Sequence, residues 1–376
     1  MLGSSGYDDL FFTTLVDSYV GNPRFLRRDW LADEVMERLK EPTCRFLLLT
    51  AEPGAGKSTF MAQLARDHPG WPRYFIRRDQ REAINDGGTR GFLEQVGFQL
   101  AARYPDAFQT DNVRISLSQT AGASSGEIIG ADIGRLIASP FYSKAVEIRQ
   151  EVEGNQGLLV GLRVRELVTD PNLITIPDLQ RMALFAPARA LKKPGDAGLV
   201  IVLIDALDEL RYRAPGGTIL EWLIQCSELP DNVRIVITSR PDEQWLATLR
   251  SAQESRLLEE TIPETGDKIT ADLTAYARKL ATEPAVQDFL TSSKRTGEQL
   301  VADAVGKSGG NLGYLDALGR AVDQASARGD QKLLAALLEL KQLPDSLPRL
   351  YGHFLNLIWQ GVAEQSVIVK DPETRK

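Results

Sequence analysis

Apolar residues gather in three short runs along the chain: Phe46-Leu47-Leu48-Leu49-Thr50, Leu199-Val200-Ile201-Val202-Leu203-Ile204 and Val233-Arg234-Ile235-Val236-Ile237-Thr238. The second is too continuous for a half-exposed strand and predicts a buried parallel one. Arg73 to Ile76 predicts a further short strand, and Arg256 to Ile262 a final edge strand. Between them the spacing turns helical. Trp30, Leu31, Val35, Met36 and Leu39 share one face of Asp29 to Lys40, and helical spacing continues over Phe60–Ala65, Phe92–Tyr104 and Asp242–Arg250. From Ile269 onward every apolar pattern is helical: Leu273, Tyr276, Ala277 and Leu280, then Leu300–Ala304, Leu312–Val322 and Leu333–Leu340. Ser308-Gly309-Gly310-Asn311 breaks two of these helices, and Leu343 to Pro348 leads into another, Leu350–Val362, before the polar tail Lys370–Lys376.

A different pattern occupies the middle. Ile115-Ser116-Leu117-Ser118-Gln119-Thr120-Ala121 and Val146-Glu147-Ile148-Arg149-Gln150-Glu151-Val152 alternate apolar with polar, and each is followed by a glycine and a second alternating run. Gln119/Gln150, Gly126/Gly157, Gly130/Gly161 and Leu136/Leu167 share one offset of 31 residues. Each copy reads as a β-hairpin with glycine at its turn, giving an all-β insertion. Packing, partner contact or regulation are the roles open to it.

These elements divide the 376 residues into an N-terminal arm (1–20), an α/β domain (21–262) interrupted by the hairpin-repeat insertion (112–170), and a helical domain (263–343). Residues 344–376 are expected to begin a further helical or winged-helix-like domain, as in a fragment of a longer protein. A formal net charge of −7 gives no support to general nucleic-acid binding. Cys44 and Cys226 lack metal spacing and are expected to be reduced thiols in the cytoplasm. Two histidines, His68 and His353, argue against zinc catalysis or a Ser-His-Asp centre. No apolar run approaches a membrane span.

Chemistry enters where the first run ends, in Ala51-Glu52-Pro53-Gly54-Ala55-Gly56-Lys57-Ser58-Thr59. A strand, a Gly-rich turn and a helix start form a phosphate-binding P-loop. Its backbone N–H groups and helix N-terminus face the phosphates, Lys57 reaches the terminal ones, and Ser58 offers its hydroxyl to Mg²⁺. The second run ends in Asp205-Ala206-Leu207-Asp208-Glu209, where Asp205 is placed for the second Mg²⁺ contact. Asp208 and Glu209, one turn on, are candidates to reach a water in line with the γ-phosphate. The alternative is an acidic helix start favoured by the dipole. Arg240, at the tip of the third run, is a candidate for sensing the γ-phosphate, against a plain surface arginine.

Together these residues resemble a NACHT-type member of the STAND class of signal-transducing P-loop NTPases. Glu52 to Thr59 matches that family's Walker A. Asp205-Ala206-Leu207-Asp208-Glu209 matches its Walker B, with a small residue after the Mg²⁺ acid. Thr238-Ser239-Arg240-Pro241 resembles its sensor segment, and Gly310 to Tyr314 and Leu343-Pro344 its later helical signatures. Phe25 to Leu31 resembles its entry motif near the adenine, which assigns Arg28 to the nucleotide, although Arg27 stands where a glycine is usual. The resemblance implies ATP or ADP with Mg²⁺, slow hydrolysis, and a switch in which ADP holds a closed monomer and ATP drives homo-oligomerisation. Protein partners would come through flanking domains or the β insertion, with defence or signalling as the usual setting in bacterial relatives. Other classes remain open: a nucleotide-holding scaffold that barely hydrolyses, or an AAA+ remodelling ATPase, which the missing Asp-Glu Walker B disfavours. A P-loop kinase lacks an evident acceptor site.

Overall fold

The first and third apolar runs lie side by side in one parallel sheet, with Phe46 opposite Ile235 and Thr50 opposite Ser239. A computed structural model describes residues 10–77, 87–111, 114–124, 128–141, 147–155, 159–193, 198–212, 216–340 and 343–354. In chain order the arm supplies α1 (Thr13–Val20), followed by α2 (Asp29–Lys40), β1 (Phe46–Thr50), α3 (Lys57–Asp67), β2 (Arg73–Phe75) and α4 (Thr89–Arg103). The insertion holds β3 (Arg114–Ser124), β4 (Ile128–Ile137), β5 (Glu147–Asn155) and β6 (Leu159–Val168). A helical segment of α5 (Ile176–Gln180), a π turn and α6 (Ala186–Leu191) leads to β7 (Val200–Asp205), α7 (Ile219–Gln225), β8 (Val233–Ser239), α8 (Glu243–Ala252) and β9 (Leu257–Thr261).

The five-stranded sheet runs β2-β7-β8-β1-β9, and its pairings are parallel. Every residue of β1, β7 and β8 is buried, as continuous apolar runs demand. The edge strand β9 is half-exposed and carries Glu259 and Glu260, charges that discourage further pairing. The arm is not peripheral: Phe11 and Phe12 are buried, and the Phe12 ring lies 5.4 Å from that of Phe75. Through this anchor α1 packs along α3.

Five helices follow: α9 (Asp267–Ala281), α10 (Pro284–Ser293), α11 (Gly297–Ser308), α12 (Leu312–Ala327) and α13 (Gln331–Glu339). Thr296 and Gln299 form a capping box at the start of α11, and Asn311 caps α12 by accepting from the Tyr314 N–H. The Gly309-Gly310 turn between them returns the chain toward the P-loop. A last helix begins at 347 and is described to 354. The rest of the helix expected over Leu350–Val362 and the tail Lys370–Lys376 lie outside the described residues.

The insertion corrects one expectation. Its strands exist, but they do not pair as hairpins. β3 pairs in parallel with β5 and β4 with β6, so the two strands of each copy belong to different sheets. Ile128 faces Leu159 and Ile137 faces Val168, which is the 31-residue offset of the repeat itself. In the other sheet Ile115 faces Ile148, a slip of two residues from that offset, and the register shifts back between Thr120 and Ser124. A slip of two keeps each residue on its own face. Like stacks on like, and alternation alone specifies a strand without naming its neighbour.

Candidate functional site

Every chemistry-bearing segment picked out above reaches the carboxyl edge of the sheet. Gly54 and Gly56 take φ of +85° and +84°, the left-handed conformation that glycine adopts at little cost. The loop's carbonyls are held outward. Pro53 O accepts from Asn311 Nδ2 at 2.8 Å, Gly54 O from the Gly313 N–H at 2.7 Å, and Ala55 O from Arg28 Nη1 at 2.5 Å. In planar trans peptides this turns the N–H groups of Gly54 and Gly56 to the opposite side. The fit to α12 is close: a Cβ on Gly54 would stand 2.3 Å from Asn311 Oδ1, and one on Gly313 2.7 Å from Gly54 Cα.

Lys57 opens α3 and turns its ammonium onto Ala51 O at 2.5 Å and Glu52 O at 3.2 Å. Burial pulls its pKa down, partly offset by the Asp208 carboxylate. Asp205, at the tip of β7, is buried, and burial raises its pKa. It accepts from Thr238 Oγ1 at 2.5 Å and lies near the Ser58 hydroxyl. Thr238 Oγ1 accepts in turn from the Ala206 N–H at 2.9 Å. Ala206 has φ +61°, a left-handed conformation that a β-branched or bulky residue adopts only with greater strain. This is a physical reason for the small residue after the acid.

Leu207–Tyr212 form a 3₁₀ turn that carries the other two acids. Asp208 is buried and salt-bridged to Arg240, while Glu209 is half-buried on the same turn. Arg28, expected at the nucleotide, borders the smaller of two cavities beside the loop and is held from several sides. Its Nε binds Asp272 Oδ2 of α9 at 2.9 Å and its backbone N–H binds Gln63 Oε1 at 2.8 Å, so it links the P-loop, α3 and the helical region. Burial lowers its pKa.

Three contributors were not singled out as site residues. Tyr19 of α1 lies close to Ser58, and its pKa is raised by burial and by the Asp205 charge. Thr238 orients Asp205, and Asn311 clamps the loop. Signals existed for Thr238, which opens the sensor-like segment, and for Asn311, the polar residue after a Gly-Gly helix break. Two cavities flank the loop. One of about 400 Å³ is bordered by Tyr19, Phe25, Gly56, Thr59, Tyr276 and Arg320, and one of about 320 Å³ by Glu52, Ala55, Ile262 and Asp345.

A buried strand, a Gly-rich turn and a helix, with a buried acid at the tip of a neighbouring strand, define a P-loop NTPase fold: an α/β parallel sheet flanked by helices, with a helical C-terminal region. The positive-φ glycines, Lys57, Ser58 and Asp205 fit a Mg²⁺-bound nucleoside phosphate in donor type and placement. No family model matches the chain, and no curated protein does. Among solved structures, the Walker-type ATPase of Pyrococcus abyssi is 13% identical with a TM-score of 0.41, over 89% of this chain and 76% of that one. A RuvB mutant of Thermotoga maritima is 11% identical with a TM-score of 0.32, over 85% and 72%. The P-loop assignment rests on the strand–loop–helix geometry itself. Among the described residues no helix is long and apolar enough to cross a membrane, and no cluster of three or more His, Cys, Asp or Glu is placed to hold a metal.

Proposed function

We propose that this protein is a nucleotide-dependent switch of the NACHT/STAND type, binding ATP or ADP with Mg²⁺ and hydrolysing ATP slowly. The observation that carries the reading is the clamp of α12 on the P-loop. Asn311 and Gly313 hydrogen-bond the carbonyls of Pro53 and Gly54, so the loop that would hold phosphate is also the contact that holds the helical region. In this reading residues 52–59 cradle the phosphates, Ser58 and Asp205 hold the metal, and Arg240 senses the terminal phosphate. Glu209 orients the water, with Asp208 as the alternative. Arg28 supports the nucleotide through Ala55. The bound metal supplies charge neutralisation at the phosphates. Homo-oligomerisation on activation, protein partners and a cytoplasmic, reducing setting for the two buried thiols complete the proposal.

Turnover and sedimentation test it together. A switch hydrolyses ATP at about 10⁻³ to 10⁻² s⁻¹, as unassisted P-loop NTPases do, and its mass changes when ADP is exchanged for ATP. Binding with no turnover and no change in mass selects the scaffold reading. Fast turnover with a fixed ring selects the remodelling one.

A further inference from the structure

The stacked repeat of the insertion has two open ends. Among the described residues β3 pairs only with β5 and β4 only with β6. One outer edge is therefore presented by β3 and β4 and the other by β5 and β6. Open edges accept further strands, and two-stranded sheets are marginal by themselves.

The repeat also specifies what fits there. Where its copies stack, positions of opposite charge lie in register, Asp132 with Arg163 and Arg135 with Glu166. Arg135 follows this register, its Nε 3.3 Å from Glu166 Oε1, with Asp178 of α5 a second partner at 4.0 Å, while Asp132 reaches one pleat further along the neighbouring strand to Arg165, whose Nη2 lies 2.6 Å from its Oδ2. At each of these positions the first copy carries the complement of the second. The first-copy edge of another molecule therefore complements the second-copy edge of this one. Leu136 faces Leu167 in the same register, and Leu167 is 58% exposed, an apolar surface of the kind that a further Leu136 would cover.

We propose that the insertion is a self-association module. The outer edge of β5 and β6 receives the β3 and β4 edge of a second copy of this chain, in parallel, so the stack continues across the molecular boundary. Two different edges meet, which makes the contact heterologous and the assembly open-ended. This surface is separate from the nucleotide-driven oligomerisation proposed above, and it does not require nucleotide.

Sedimentation of the full chain from low to high micromolar concentration tests it. The wild-type mass is expected to rise past the dimer without a plateau. The variant D132R/R135E/R163D/R165D/E166R exchanges the charges of the two copies, Arg163 included because it lies in register with Asp132, so it keeps both attractions within the molecule and is expected to assemble with itself. Mixed with differently labelled wild type, it is expected to co-assemble about tenfold more weakly, because like charges then meet at two positions of each boundary. A wild type that stays monomeric, a closed dimer that does not grow, or indiscriminate mixing overturns the proposal. Should the exchanged variant not assemble even alone, Leu167→Lys decides: it is expected to abolish wild-type growth, and unchanged growth overturns the module. ADP titration on the same samples separates the two readings, since intact binding without assembly removes the module and leaves the switch.

Discussion

Asp208 holds Arg240 at two points. Its Oδ2 takes the Arg240 side chain at 2.9 Å through Nε, and its Oδ1 takes the Arg240 backbone N–H at 3.2 Å. The side chain of Asp208 is only 8% exposed while that of Arg240 is 46% exposed, so the buried acid anchors the exposed cation. Of the two acids on the turn, Asp208 anchors Arg240, and Glu209 keeps the base role proposed above.

That division gives the first prediction. Glu209→Gln keeps the shape but removes the carboxylate, so ATP binding is expected to persist while hydrolysis falls by about 10²-fold. Asp208→Asn weakens the hold on Arg240 and is expected to reduce hydrolysis less. A phosphate-release assay on both variants checks it. If only Asp208→Asn is inactive, the base moves to Asp208, and if neither is, no carboxylate on this turn is needed.

Lys57→Ala removes an ammonium whose present contacts are two backbone carbonyls of its own loop. The fold is expected to survive and affinity for both ATP and ADP to drop at least tenfold, about 1.4 kcal/mol. Calorimetry showing unchanged affinity for both would remove the phosphate-binding assignment.

How far the sequence reached can be seen in these residues. β1, β7 and β8 were legible because burial on both faces forces continuous apolar runs, and the P-loop because its chemistry fixes both composition and spacing. Tyr19 was not legible, since one aromatic on a short helix acquires meaning only when α1 packs on α3. The ion pair of Arg28 was not legible, since its Asp272 partner lies 244 residues away and leaves no local pattern. The repeat was legible but its pairing was not. A period of two is the same in a hairpin and in a parallel stack, and only long-range register tells them apart.

Arg28 and Asp272 form a buried pair, with side chains 5% and 9% exposed. Removing one partner leaves the other charge buried alone, at a cost of about 3–5 kcal/mol. Arg28→Ala and Asp272→Ala are each expected to destabilise the protein on this scale, and Arg28→Met with Asp272→Leu less than the sum. Denaturant unfolding of the three variants measures it. Losses under about 1 kcal/mol for each single change would place the pair in solvent.

Burial pushes the thiols of Cys44 and Cys226 up to about 11 from an ordinary value near 9. The folded protein therefore favours the protonated thiol. The stability this represents is fully present below the unfolded value and is lost as pH rises through the folded one. At pH about 8 a thiol-specific reagent is expected to find no fast-reacting group in the native chain and both after denaturation. Rapid native labelling would contradict the buried placement.

The last prediction separates two jobs of Asn311. Its Oδ1 accepts from the Tyr314 N–H at 3.2 Å and caps α12, while its Nδ2 donates to Pro53 O at 2.8 Å and clamps the P-loop. Asn311→Ala loses both, and the lost cap alone is expected to cost about 1 kcal/mol of stability. Asn311→Asp keeps an accepting oxygen for the cap but has no N–H for Pro53. Its helical region is expected to stay as stable as wild type, while release of bound ADP speeds up several-fold, the scale of one hydrogen bond of about 1 kcal/mol. Stopped-flow release of a fluorescent ADP, beside thermal unfolding, reads the two effects apart. Release by Asn311→Asp at the wild-type rate would mean that the clamp on Pro53 does not govern nucleotide exchange, and the coupling of α12 to the P-loop would lose its basis.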